Sequence, residues 1–156
     1  RQLQENLGGS LERLSKDLSR DQHRFVHELL QNADDCNFEE GEVPTVELVL
    51  HADHFVMRSN ELGFSLANVR AICSVDRSTK VGNAELGREL IGRKGIGFKA
   101  VFKVSDRPEV HSGQWHFCFN ATLQVPGIDL KGLGYIVPQR LPAVPQDPDA
   151  WWQTEL

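Results

Sequence analysis

The chain has 156 residues, 40% hydrophobic and 25% charged, which is ordinary for a globular domain and long enough for one core. Seventeen Lys+Arg against 22 Asp+Glu give a formal net charge of −5, which disfavours nucleic acid as the main partner. No apolar run reaches the ~20 residues that span a bilayer, and the polar first residues carry no signal-peptide core and no initiator Met, so a non-membrane piece of a larger protein is expected.

Leu3, Leu7, Leu11, Leu14 and Leu18 recur at three- and four-residue steps, a helical stripe loosened at Gly8 and Gly9. The pattern predicts a second helix over about Asp21 to Cys36, with Asp21 as a cap and Phe25, Val26, Leu29, Leu30 and Ala33 on its apolar side. Strands are expected at Val46 to Leu50 and Phe55 to Met57, joined as a hairpin through His51, Ala52 and Asp53. A short helix around Leu66 to Cys73 precedes a polar, glycine-punctuated loop from Ser74 to Lys94. A helix over Ile96 to Val104 and strands near Glu109 to His111, Trp115 to Phe119 and Tyr135 to Val137 follow. The Pro-rich tract Pro138 to Pro148 reads as a connection, and a further strand would begin at Thr154; a strand missing after Leu156 would leave an open sheet edge. This order predicts one α+β domain over residues 1–156, with helices on one face of a mostly antiparallel sheet. Cys36, Cys73 and Cys118 form no C-x-x-C and lack zinc-finger company, so they read as reduced thiols of an intracellular protein of the cytoplasm or nucleus.

Two features carry chemistry. Glu28, Asn32 and Asp35 share one face of the second helix, since they fall at i, i+4 and i+7. A carboxylate, an amide and a second carboxylate in a row suit a magnesium and water site; a solvated polar face has the same pattern. The second feature is the cluster Gly87, Gly92, Gly95 and Gly97. It misses the P-loop, because Arg93 and Lys94 stand where Lys and Ser/Thr are required, and it misses a dinucleotide fingerprint, because no strand leads into it. What is left is a glycine-rich turn opening a helix, with Arg93, Lys94 and Lys99 adding positive charge: an anion site, or a plain loop and cap. The charge is split along the chain. Residues 1–47 hold five basic and eleven acidic residues, whereas 77–103 hold seven basic and two acidic.

Taken in order, E-L-L-Q-N-A-D-D (Glu28 to Asp35), S-N-E-L-G-F (Ser59 to Phe64) and G-R-K-G-I-G-F-K-A-V-F (Gly92 to Phe102) resemble the GHKL ATPases. The wording is most similar to the sacsin and NO VEIN-like branch, related to the ninety-kilodalton heat-shock chaperones. The resemblance implies a Bergerat two-layer α/β sandwich, a lid over about 74–94, and ATP or ADP with Mg²⁺ as ligands. It implies Glu28 as the water-activating base, Asn32 as the Mg²⁺ ligand and Asp35 as a pocket residue. Gly63 and Phe64 match the end of the adenine-supporting D-x-G-x-G motif. Held in that register, the adenine-reading Asp falls on Ser59 and the next motif glycine on Glu61, with Asn60 substituting if the register slips by one. Ser78, Thr79 and Lys80 resemble the start of the lid. Gly92, Gly95 and Gly97 match its closing glycines, with Arg93, Lys94, Ile96 and Phe98 beside them at the phosphates. Thr154 falls where the family often has a threonine near the adenine.

Two functions are then expected to compete. One is slow Mg-dependent ATP hydrolysis that drives a conformational cycle of a larger protein, with its other domains and an ATP-dependent homodimer as partners. The other is a degenerate scaffold or interaction module, motivated by Ser59 and Glu61 in place of the family's Asp and Gly. A histidine kinase is disfavoured, because no phosphoacceptor helix pair precedes the domain. No basic helix with interleaved aromatics supports nucleic-acid binding by this piece.

Overall fold

Residues 24–74, 97–143, 152 and 154–156 are described in the structure, a computed structural model. The expected N-terminal stripe and most of the expected lid lie outside them. Helix α1 spans Arg24–Asp34 and turns Leu29 and Ala33 into the core. It ends where the Cys36 N–H bonds the Ala33 carbonyl, and the expected cap Asp21 lies outside the described residues. Strands β1 (Val46–Leu50) and β2 (Phe55–Ser59) pair antiparallel in continuous register, closed by the His51 N–H on the His54 carbonyl at 2.8 Å. β2 therefore runs two residues beyond the expected Met57. Helix α2 (Leu66–Ile72) starts at Ser65 because Ser65 and Asn68 form a reciprocal capping box.

The segment expected as an α-helix over Ile96 to Val104 is instead a 3₁₀ helix over Phe98–Lys103. Phe98, Lys99, Ala100 and Val101 are all buried in succession, so no solvent face selects a 3.6-residue period. The expected strands β3 (Glu109–Ser112) and β4 (Trp115–Cys118) form within one residue at each end and pair as a hairpin. The strand expected at Tyr135 to Val137 is absent. Leu133–Tyr135 forms a 3₁₀ turn after Gly132, which adopts φ 84°, and the strand there is β5, Gln139–Arg140. A tight approach explains the turn: a Cβ on Gly134 would sit 1.6 Å from the Asn120 carbonyl oxygen.

The last strand, β6 (Thr154–Glu155), begins at Thr154 as expected and lies inside the sheet. The sheet order is β1-β2-β6-β3-β4-β5, antiparallel throughout, so β6 closes the gap between the two hairpins. One face of the sheet carries Met57, Val110 and Phe117 against Leu29 and Ala33 of α1, Val69 and Ile72 of α2, and Phe98 and Val101. This is a two-layer α+β arrangement. Register places Glu47, Arg58, Glu155, His111 and His116 in a row on the other face, where Arg58 Nε bonds Glu155 at 2.7 Å. Among the described residues, no helix is long and apolar enough to cross a membrane.

Lys99 departs from expectation. It is 1% exposed, donates to the Tyr135 carbonyl, and holds its Nζ 4.5 Å from the centre of the Phe119 ring. Its charge therefore serves the packing of the 3₁₀ helix and not a phosphate face. Burial lowers its pKa to about 8 from 10.5. Between those values the unfolded chain holds a proton that the folded chain has released, so stability rises with pH across that window. Denaturant titrations from pH 7.5 to 10 are expected to show this rise, by at most about 1.4 kcal/mol per pH unit. Lys99→Met is expected to flatten it.

Candidate functional site

A small pocket, with a cavity volume of about 30 Å³, opens between α1, α2, the 3₁₀ helix and the sheet. Its walls are apolar: Ala33, Phe64, Ile72, Phe98 and Leu156. Its polar groups are few and come from separate elements, with Asn32 and Cys36 from α1 and its C-terminal turn, Asn68 from α2, and Glu61 from the turn after β2. A planar, mostly apolar group with one or two polar edges suits such a lining.

Glu61 is the notable member, being 4% exposed yet carboxylate-bearing. One hydrogen bond reaches its side chain and one its backbone. Thr154 Oγ1 donates to Glu61 Oε1 at 2.7 Å, and the Glu61 N–H donates to Ser59 Oγ at 3.3 Å. A carboxylate offers about four acceptor positions, so the Thr154 bond leaves capacity for a ligand donor. The turn continues through Gly63 at φ 87°, a conformation that favours glycine. Phe64 is then clamped from both sides: its N–H donates to Ser112 Oγ at 2.8 Å, and Trp115 Nε1 donates to its carbonyl at 2.9 Å.

Glu28 lies on α1, one helical turn before the pocket residue Asn32. Its Oε1 accepts from Arg24 Nε at 2.8 Å, one helical turn back. Its Oε2 lies against Gly97, where a Cβ would be only 2.5 Å away. The absent side chain of Gly97 thus lets the backbone approach the carboxylate and places Glu28 beside Phe98, which lines the pocket.

The other expected site residues divide. Asn32, Phe64 and Phe98 line the pocket, and Gly63, Gly97 and Thr154 support it. Asp35 is exposed and absent from the lining, where Cys36 stands instead. Ser59 is 1% exposed and lies beneath Glu61, outside the lining. Asn60 braces the loop before β1, accepting from the Thr45 N–H at 2.8 Å and donating to the Val43 carbonyl at 3.0 Å. Ser78, Thr79, Lys80, Gly92, Arg93, Lys94, Gly95 and Ile96 lie outside the described residues. Glu61, outside the expected site residues, lines the pocket; in sequence it opens E-x-G (Glu61, Leu62, Gly63) two residues after β2.

Comparison with known proteins agrees with part of the resemblance. The chain is 43% identical over 136 residues to Protein NO VEIN of Arabidopsis thaliana, covering 87% of this chain and 5% of that protein. It is 31% identical over 106 residues to a Herpetosiphon aurantiacus protein named as a type II restriction enzyme, HgiDII, covering 66% of this chain and 16% of that one. The chain is thus related to NO VEIN over most of its own length, while spanning a small fraction of either relative. No family model matches the chain, and no solved structure gives a significant match.

Proposed function

We propose that the pocket binds an adenine nucleotide with Mg²⁺ and hydrolyses ATP slowly, in the manner of the GHKL ATPases and their Bergerat fold. The observation that carries the reading is the buried Glu61–Thr154 pair at an apolar pocket that Asn32 also lines. The apolar walls accept a purine ring, and Glu61 accepts from its amino group. The adenine contact thus moves from Ser59 to Glu61, which restores the carboxylate that the scaffold reading took to be missing. Asn32 offers the hard oxygen donor that Mg²⁺ prefers, and a bound Mg²⁺ would neutralise phosphate charge. Glu28, one turn before Asn32 on α1, orients or deprotonates water. A conformational or assembly cycle of a larger protein, with ATP-dependent dimerisation, is the use we infer for such a slow ATPase.

Calorimetric titration of the chain with ADP and Mg²⁺ tests this. Binding at micromolar concentrations is expected. No heat and no thermal shift at millimolar ADP or ATP would return the chain to the scaffold reading.

A further inference from the structure

We propose that Ser112 is a positioning residue for the pocket: acting through Thr154, it fixes the orientation of Glu61 and so sets which ring edge the site accepts. The ligand in this inference rests on the nucleotide reading above, whereas the geometry does not.

Ser59, Thr154 and Ser112 stand directly opposite one another across β2, β6 and β3. All three are at most 1% exposed, which makes a row of hydroxyls beneath the pocket floor. The direction of each bond follows from proton count. Thr154 has one hydroxyl proton, and it goes to Glu61 Oε1 at 2.7 Å. The 2.6 Å contact between Thr154 Oγ1 and Ser112 Oγ must then carry the Ser112 proton. With that proton committed, Ser112 Oγ accepts the Phe64 N–H at 2.8 Å. The chain runs one way: Phe64 N–H to Ser112, Ser112 to Thr154, Thr154 to Glu61. Among the described residues no buried side-chain polar atom is unpaired. Successive bonds in a dry interior polarise one another, and each hydroxyl holds the next in a single rotamer.

Ser112 therefore touches two pocket groups at once. It holds the backbone of Phe64, and it commits the Thr154 proton to Glu61. A carboxylate held this way presents acceptor oxygen only. It accepts a ring amino group and repels a ring carbonyl at the same place. Without Ser112, Thr154 has no donor behind it, and its hydroxyl and the Glu61 carboxylate are free to rotate together.

The test compares ADP with inosine diphosphate, which carries a carbonyl in place of the amino group. Ser112→Ala is expected to weaken ADP about 10-fold and leave inosine diphosphate within about twofold, so discrimination falls about 10-fold. Ser112→Thr, which keeps the hydroxyl, is expected to restore it. Equal weakening of both nucleotides, or unchanged discrimination, overturns the assignment, because a merely structural role lowers both alike. Should Ser112→Ala not fold, Ser112→Cys, similar in size but a weak donor, carries the same comparison. A ligand-free measurement separates this inference from the nucleotide reading. The Thr154 hydroxyl proton should exchange slowly enough to be seen by NMR in the unsubstituted chain and be lost in the Ser112 variant. If neither nucleotide binds, the nucleotide reading fails. The Thr154 signal then decides for Ser112 on its own, and its persistence in the variant overturns the relay.

Discussion

Glu28→Ala is expected to bind ADP within about twofold of the unsubstituted chain and to lose ATP turnover by on the order of 10²- to 10⁴-fold, the usual worth of a positioned general base. Binding survives because Glu28 is not among the residues lining the pocket. Its ion pair with Arg24 is a surface contact, with the Arg24 side chain 67% exposed, so its loss costs little stability. Steady-state phosphate release and calorimetry on one preparation separate the two effects. Unchanged turnover would remove Glu28 from its role.

Gly97→Ala tests the same geometry without touching the carboxylate. Gly97 has φ −59° and ψ −45°, which alanine adopts freely, so the backbone itself resists nothing. The obstacle is Glu28 Oε2, 2.5 Å from where the new Cβ would lie. That oxygen ends a flexible side chain, so it swings away and the fold stays within about 1 kcal/mol of its stability. Turnover should nevertheless fall at least 10-fold, because a displaced base loses its alignment. A variant that is stable, binding-competent and slow would show that Gly97 is small to make room for Glu28. An equally slow Gly97→Ala, Glu28→Ala double variant would show that both act through one group.

Much of the fold was legible because its signals are local. The apolar pattern of Val46–Leu50 and Phe55–Met57, the apolar side of α1, and the short helix from Leu66 each appear within a dozen residues. What the residues concealed depends on contacts distant along the chain. β6 has two residues and no periodicity, and its place between β2 and β3 follows from pairing with Ser59 and Ser112, 95 and 42 positions away. Lys99 reads as a surface cation beside Arg93 and Lys94, but the ring of Phe119 and the carbonyl of Tyr135 draw it inward. Asp35 and Cys36 are neighbours; α1 ends at Asp34, two residues before the expected Cys36, and it is Cys36 that meets the pocket while Asp35 is exposed. The split in charge between the acidic first 47 residues and the basic 77–103 remains a property of the sequence. Of the basic group, Lys99 is shown to be turned away from solvent.

Glu61→Gln is expected to exchange the preference of the pocket. The amide has nearly the shape of the carboxylate, and its carbonyl oxygen still accepts the Thr154 hydroxyl, so stability changes little. The NH₂ group then replaces the free carboxylate oxygen toward the pocket and donates where the native group accepts. A ring amino group now meets a donor and loses a bond to a charged acceptor, worth about 1.5–3 kcal/mol, or roughly 10- to 150-fold in ADP affinity. A ring carbonyl meets a donor and gains, so inosine diphosphate should tighten while ADP weakens. This crossing of affinities is hard to obtain from a structural lesion, which weakens both. It also discriminates between the two registers of the motif. If Ser59 read the base, Glu61→Gln would leave the ratio of the two nucleotides unchanged. With Ser59 only 1% exposed beneath Glu61, the ratio should invert.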